Sequence, residues 1–210
     1  MRNVHTSLGL LAVGLVLQMT SVASAQARTF RVRNDGGSRI QFISDAPLET
    51  ITGVSSHVTG DLTVDPNNLA ASRGTIAVRI ATIRTGIDLR DEHLRSDSWL
   101  DAQRYPNATF EIVRVEGADR LVPNQAVNLR IHGRFTLHGV TRDVVANARV
   151  RLIPLNDELR AARIDGDVLR GQASFRVHLT DYNVSVPLPV RLKVANEIRV
   201  NVTIRAIAAS

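Results

Sequence analysis

The chain has 210 residues, 44% of them hydrophobic but only 4% aromatic, with no cysteine and a formal charge of +6 at pH 7. That length suits one domain with its own core, and the missing cysteines exclude a disulfide framework or a thiolate metal site. Lys193 is the single lysine, and the arginines are interleaved with acidic residues, so the expectation is no nucleic-acid partner and at most a transient contact with anionic membrane surfaces.

The first 25 residues read as a targeting segment. Arg2 is their only charged residue, Ser7 to Leu17 is apolar, and Ala23-Ser24-Ala25 supplies the small residues of a cleavage site. This is the pattern of a secretory signal peptide cut before Gln26, which sends the product to the periplasm or beyond. The alternative, a retained anchor, needs an apolar run nearer ~20 residues. Residues 26–210 then form a single domain.

From Arg28 the pattern has period two. Phe30 and Val32 alternate with Arg31 and Arg33, Asn34-Asp35-Gly36-Gly37 supplies turn chemistry, and Ile40 and Phe42 follow, which reads as a hairpin. Pro47 to Gly53 breaks the alternation. His57 to Val64 is extended again, with Gly60 as a bulge or kink, and Gly74 to Arg84 carries Ile76, Val78 and Ile80 on one face. Phe110 to Val115 is a strand. The longest is Val127 to Val140, with Val127, Leu129, Ile131, Phe135 and Leu137 on one face and His132 and His138 on the other. Gly133 marks a bend in it. Val144, Ala146, Ala148, Val150 and Leu152 share the next apolar face, Glu158–Arg163 reads as a short helix, and Phe175, Val177 and Leu179 form a further strand. Ser185 to Pro189 is a proline-broken loop, and Ile198, Val200, Val202, Ile204 and Ala206 close the chain.

Roughly eight long strands, each with one apolar and one polar face, leave a sandwich or a closed antiparallel barrel. Strand length and the mid-strand glycine favour the barrel. Its inward residues are mostly Val, Ile, Leu and Ala, which fill less space than aromatics and leave room for a small ligand.

Ile83 to Phe110 departs from all this. Asp88 is placed to cap a short helix with Asp91 and Glu92 in its first turn and Arg95 one turn later. Trp99, Leu100 and Tyr105 are anchors after it, and Pro106 restarts the sheet. The helix is too thinly apolar to supply a core, so it is expected to lie across one end of the barrel.

Here the chain resembles the YceI-like family of exported, lipocalin-like proteins. The resemblance rests on Thr82-Ile83-Arg84-Thr85-Gly86, Arg90-Asp91-Glu92-His93-Leu94-Arg95-Ser96, Trp99-Leu100-Asp101-Ala102 and Tyr105-Pro106-Asn107-Ala108-Thr109-Phe110. It continues through Gly133-Arg134-Phe135-Thr136-Leu137-His138-Gly139-Val140-Thr141-Arg142, Ser38-Arg39-Ile40-Gln41-Phe42 and Asn196-Glu197-Ile198-Arg199-Val200. It implies an extended eight-stranded antiparallel, lipocalin-like barrel with a short helical insertion at one end, whose pocket binds a polyisoprenoid or isoprenoid quinone. No resident cofactor is implied beyond that cargo. One departure is Asp181-Tyr182-Asn183, where the family carries an acidic-aromatic-glycine turn. Asn accepts the positive φ such a turn needs, while the tyrosine hydroxyl bears on pocket shape.

Candidate cavity-lining residues are Ile80, Phe110, Leu129 and Ile131, with Phe135, Leu137, Val177 and Val200, on the apolar faces. Arg90, Asp91, His93, Arg95 and Trp99 are the candidates for a lid or for meeting a polar head group. His132 and His138 lie ~20 Å apart along their strand and cannot share a metal, and His178 reads as a surface residue, so no metal site is expected. No nucleophile motif accompanies His93, so no catalytic residue is assigned. The alternatives are an enzyme using His93, Asp91 and Arg95 at the barrel mouth, and a filled barrel acting as a stress-related interaction protein. A homodimer stays open.

Overall fold

In the computed structural model, which describes residues 27–209, the strands form one antiparallel ring. The reading of Met1–Ala25 as a leader lies outside the described residues. The strands are β1 (Arg28–Val32), β2 (Arg39–Asp45), β3 (Thr50–Ser55), β4 (Val58–Val64), β5 (Arg73–Arg79), β6 (Asn107–Glu116), β7 (Ala126–Leu137), β8 (Val140–Ile153), β9 (Val168–His178) and β10 (Glu197–Ala208). Two short helices, α1 (Asp88–Arg95) and α2 (Asp157–Ala161), interrupt them. The order β1-β4-β5-β6-β7-β8-β9-β10 closes through β1–β10, giving a barrel of eight positions. As expected, this is a closed eight-stranded antiparallel barrel with little helix.

Two of the eight positions are split. Strand β10 pairs with β2 through Ile198–Thr203 and with β1 through Ala206–Ala208, so β1 and β2 lie end to end along one edge. β4 pairs with β1 and β3 with β2, so β3 and β4 also run end to end. The expected hairpin around Asn34–Gly37 is therefore absent, and that segment is an excursion between two collinear strands. Side chains hold it. The Ser38 hydroxyl accepts the Arg205 N–H at 3.0 Å and faces the Arg205 carbonyl at 3.4 Å. Asp35 meets the Arg205 guanidinium at 3.0 Å and takes the Gly37 N–H at 2.9 Å.

The break in alternation at Pro47–Gly53 hides β3. Gly53 sits opposite Phe42, and a side chain there would collide with the Phe42 ring. The long strand expected to run to Val140 stops at Leu137, because His138 and Gly139 both take positive φ (+50° and +74°) and turn the chain back into β8. Two consecutive positive φ values make the tight hairpin turn that matches sheet twist. His138 therefore leaves the polar strand face, and its Nδ1–H donates to the Tyr182 carbonyl at 3.1 Å. Gly133 does sit at the bend: it faces the Phe110 ring, and the β6 register slips by one residue beside it at Val113.

The other short elements differ in detail. α1 begins on Ile87 without a side-chain cap, and Asp88 is its first helical residue. Asp91, inside the helix, instead reaches back to Thr85. α2 is capped by Asn156, which accepts the Leu159 N–H at 2.9 Å. Buried side chains divide into two clusters. One gathers Phe30, Leu62, Leu69, Leu121 and Leu152, and the other Leu100, Phe135, Phe175, Tyr182 and Ile198. Phe110, Ile131, Ala173 and Val202 touch both.

Candidate ligand-binding cavity

Between these clusters the barrel is hollow. The cavity has a volume of about 530 Å³ and runs from Leu69 and Leu121 at one end to Trp99 and Val194 at the other. Its origin is in the wall residues. Strands β8 and β9 present Ala146, Ala148, Gly171 and Ala173 to the interior, too small to meet the opposite wall. The Phe42, Phe110, Phe135 and Phe175 rings add bulk without closing it: Phe135 and Phe175 pack edge-on 5.1 Å apart at 66°, and Phe110 leans on Phe175 at 5.6 Å and 45°.

One end is shut. Leu69 and Leu121 are buried to 2% and 4% exposure, and the Leu69 N–H to Asp119 carbonyl and Leu121 N–H to Pro66 carbonyl bonds join the two loops there. The Ser72 hydroxyl faces the cavity near this end, buried and without a partner. The opposite end is framed by α1, the β2–β3 turn and the loop before β10, and its lining residues Ile87, Leu89, His93 and Lys193 are exposed.

Polar groups at this mouth are largely engaged with one another. Arg90 donates to Glu49 at 2.6 Å and to the Thr85 hydroxyl and carbonyl at 2.9 and 3.2 Å. Asp91, 2% exposed, accepts both the N–H and the hydroxyl of Thr85 at 2.8 and 2.6 Å. The Ser44 hydroxyl takes the Ala195 N–H at 2.9 Å and tethers the loop before β10. The mouth is thus a braced frame around an apolar lumen.

All eight residues expected on the wall are there: Ile80 and Phe110 from the β5–β6 side, Leu129, Ile131, Phe135 and Leu137 from β7, and Val177 and Val200 from β9 and β10. Of the five lid candidates, Arg90, His93 and Trp99 line the cavity. Asp91 is buried behind the helix and Arg95 lies off the wall, so the two do not join His93 at the lumen. The trio required by an enzyme at the mouth does not converge. Sequence reasoning missed Phe42, visible in its alternating run, and Val190, Lys193 and Val194, whose proline-broken loop gave no periodic signal.

Tyr182, the departure noted above, stays out of the lumen. Its ring is 1% exposed and packs edge-on against Phe135 at 5.6 Å, while Asn183 takes φ +59° and completes the turn. Burial, reinforced by Asp181, pushes its phenol up to about 12. The histidines are dispersed. His132 lies 2.9 Å from Glu116, and His178 sits near Asp181 and Glu197 at 3.8 and 3.9 Å. The His132 contact is the largest influence holding the Glu116 carboxyl below its usual range.

Residues 31–206 match the model of the YceI-like domain. The protein belongs to the YceI-like family. A UPF0312 protein of Vibrio cholerae is 31% identical over 141 residues, covering 66% of this chain and 71% of that protein. A UPF0312 protein of Enterobacter sp. (strain 638) is 28% identical over 184 residues, or 85% and 88% of the two chains. Among solved structures, Burkholderia cenocepacia BcnA superposes with a TM-score of 0.65 at 16% identity, over 83% of this chain and 98% of its own. A polyisoprenoid-binding domain from Saccharophagus degradans, described as implicated in plant cell wall breakdown, gives 0.65 at 14% identity over 88% and 100%. Both solved structures share the fold described above. The Ile83–Phe110 stretch, one part of the family resemblance, supplies α1 to the braced mouth.

Proposed function

We propose that this protein is a non-enzymatic carrier that holds one long isoprenoid chain, a polyisoprenoid or an isoprenoid quinone, in the barrel lumen after export to the periplasm or beyond. The observation that carries the reading is the continuous apolar cavity of about 530 Å³, within the ~300–1,000 Å³ range of small-molecule sites. An apolar wall gives affinity in proportion to buried area and little discrimination between homologous chains. A linear, flexible tail fits an elongated lumen closed at one end. The likeness to a polyisoprenoid-binding domain supports the same ligand class, and membership of the YceI-like family supports a binder over a catalyst. The cavity weighs against the filled-barrel reading, and the separation of Asp91 and Arg95 from His93 weighs against chemistry at the mouth.

Native mass spectrometry and organic extraction of protein purified from its own periplasmic fraction test the proposal. An isoprenoid-class lipid in stoichiometric amount is expected, on a chain beginning at Gln26. A lipid-free protein that also fails to bind added isoprenoid overturns it.

A further inference from the structure

We propose that the rim of the cavity mouth is a membrane-docking surface that seats on a bilayer bearing anionic headgroups; this extends the carrier reading by giving its cargo a dry route. Among the described residues, the exposed large hydrophobics are Leu48, Ile87, Leu89, Val113, Val145, Leu188 and Leu192. Five of these seven stand on the three segments that frame the mouth: Leu48 in the β2–β3 turn, Ile87 and Leu89 at the start of α1, and Leu188 and Leu192 in the loop before β10. The segments are tied together, since the Leu48 N–H donates to the Leu192 carbonyl at 2.8 Å and Arg90 pairs with Glu49 at 2.6 Å. Single exposed apolar residues are ordinary, whereas a cluster of them rimming an opening marks a contact surface.

The loop before β10 divides its labour. Val190 and Val194 line the cavity, while Leu188 and Leu192, at 75% and 56% exposure, face solvent. The apolar lumen therefore continues onto an apolar rim. Arg191 and Lys193 are both exposed in the same loop, and no acidic residue occurs from Tyr182 to Asn196. Leucines with interspersed cations suit the boundary between anionic headgroups and acyl chains. Asp88 and Glu92 on α1 put the cationic side of the rim on the β10 loop. Charge favours the bilayer over two copies meeting loop to loop, which would repel; a two-fold pairing of this loop with the acids of α1 is the outcome that the light-scattering arm below tests.

Vesicle flotation tests this with the whole exported chain. Vesicles of phosphatidylcholine, with and without a fraction of phosphatidylglycerol, contain no isoprenoid, so failure to dock leaves the cargo proposal standing. The protein should float with the anionic vesicles and largely stay behind with the neutral ones. Arg191→Glu with Lys193→Glu should lower the bound partition about tenfold or more, and Leu188→Ser with Leu192→Ser by a similar factor. Val113→Ser with Val145→Ser, on the barrel wall, should leave it unchanged, and circular dichroism melts should match throughout. The proposal is overturned if wild type fails to float with anionic vesicles, or if the wall variant loses as much as the rim variants. It is also overturned if light scattering shows a dimer that the leucine variant dissociates while no vesicle binding is seen.

Discussion

Arg205 and Ser38 do more for closure than their types suggest. Where the backbone leaves the ladder between β1 and β2, the Ser38 hydroxyl stands in for the missing strand at both polar groups of Arg205. Ser38→Ala leaves those half-buried groups without their partner, beside a side chain of 1% exposure, and buried unsatisfied groups cost about 1–3 kcal/mol. A urea titration should show the midpoint falling by a corresponding amount. Asp35 and Asp167 belong to the same scale. For each, burial is the largest single influence and pulls the carboxyl up. For Asp167 the Leu155 N–H and Arg28 outweigh it, as the Gly37 N–H and Arg205 do for Asp35, so both lie below the usual carboxylate range. A depressed folded value means that the stabilisation is complete above about pH 4 and is lost as pH falls through the lower folded values. Urea midpoints measured downward from neutrality should drop in that acid window, and Asp167→Asn should flatten the drop. An unchanged acid limb in that variant would remove Asp167 from the account.

At the scale of elements, α1 and its flanks act as a frame whose rigidity comes from Thr85, Arg90 and Asp91. Asp91→Asn weakens two hydrogen bonds to a buried carboxylate, and bonds to charged groups carry about 1.5–3 kcal/mol. The expected outcome is faster local hydrogen exchange across Thr85–Arg95 with the barrel strands unchanged. Trp99 is the single tryptophan and lines the cavity, so its emission should shift when an isoprenoid enters. The elements were unevenly legible. Inward-facing residues of β7 were readable because one apolar face alternated with arginines and histidines, and all eight wall candidates followed from such faces. The β7–β8 turn was present as a change of parity, from odd-numbered apolar residues through Leu137 to even-numbered ones from Val144. A two-residue turn with both φ positive produces that switch, and histidine in the first position disguises it as more strand. β3 was hidden because Gly53 gives its inward space to Phe42. End-to-end pairing of β1 and β2 depends on Arg205, far away in sequence, which no local pattern reports.

For the whole molecule, the hollow interior reverses the usual rule for core substitution. Adding bulk to a packed core costs about 1–3 kcal/mol through strain. Ala148→Phe points its ring into the lumen of about 530 Å³, so the melting temperature should hold or rise while isoprenoid capacity falls. A strongly destabilised variant would show that the interior is already full. The family resemblance was legible across nearly the whole chain because its motifs sit where the fold is most constrained: the mouth frame, the bend at Gly133 and the turn after Leu137.

Beyond the stretch that pairs with β2, β10 reaches β1 through only three residue pairs, Phe30 with Ala208, Arg31 with Ile207 and Val32 with Ala206. These are the two extremes of the described chain, and such distant contacts form slowly because loop entropy is spent before they reward it. A growing polypeptide therefore has no enclosed lumen until its final strand arrives. Loading of the lumen can only follow the docking of β10.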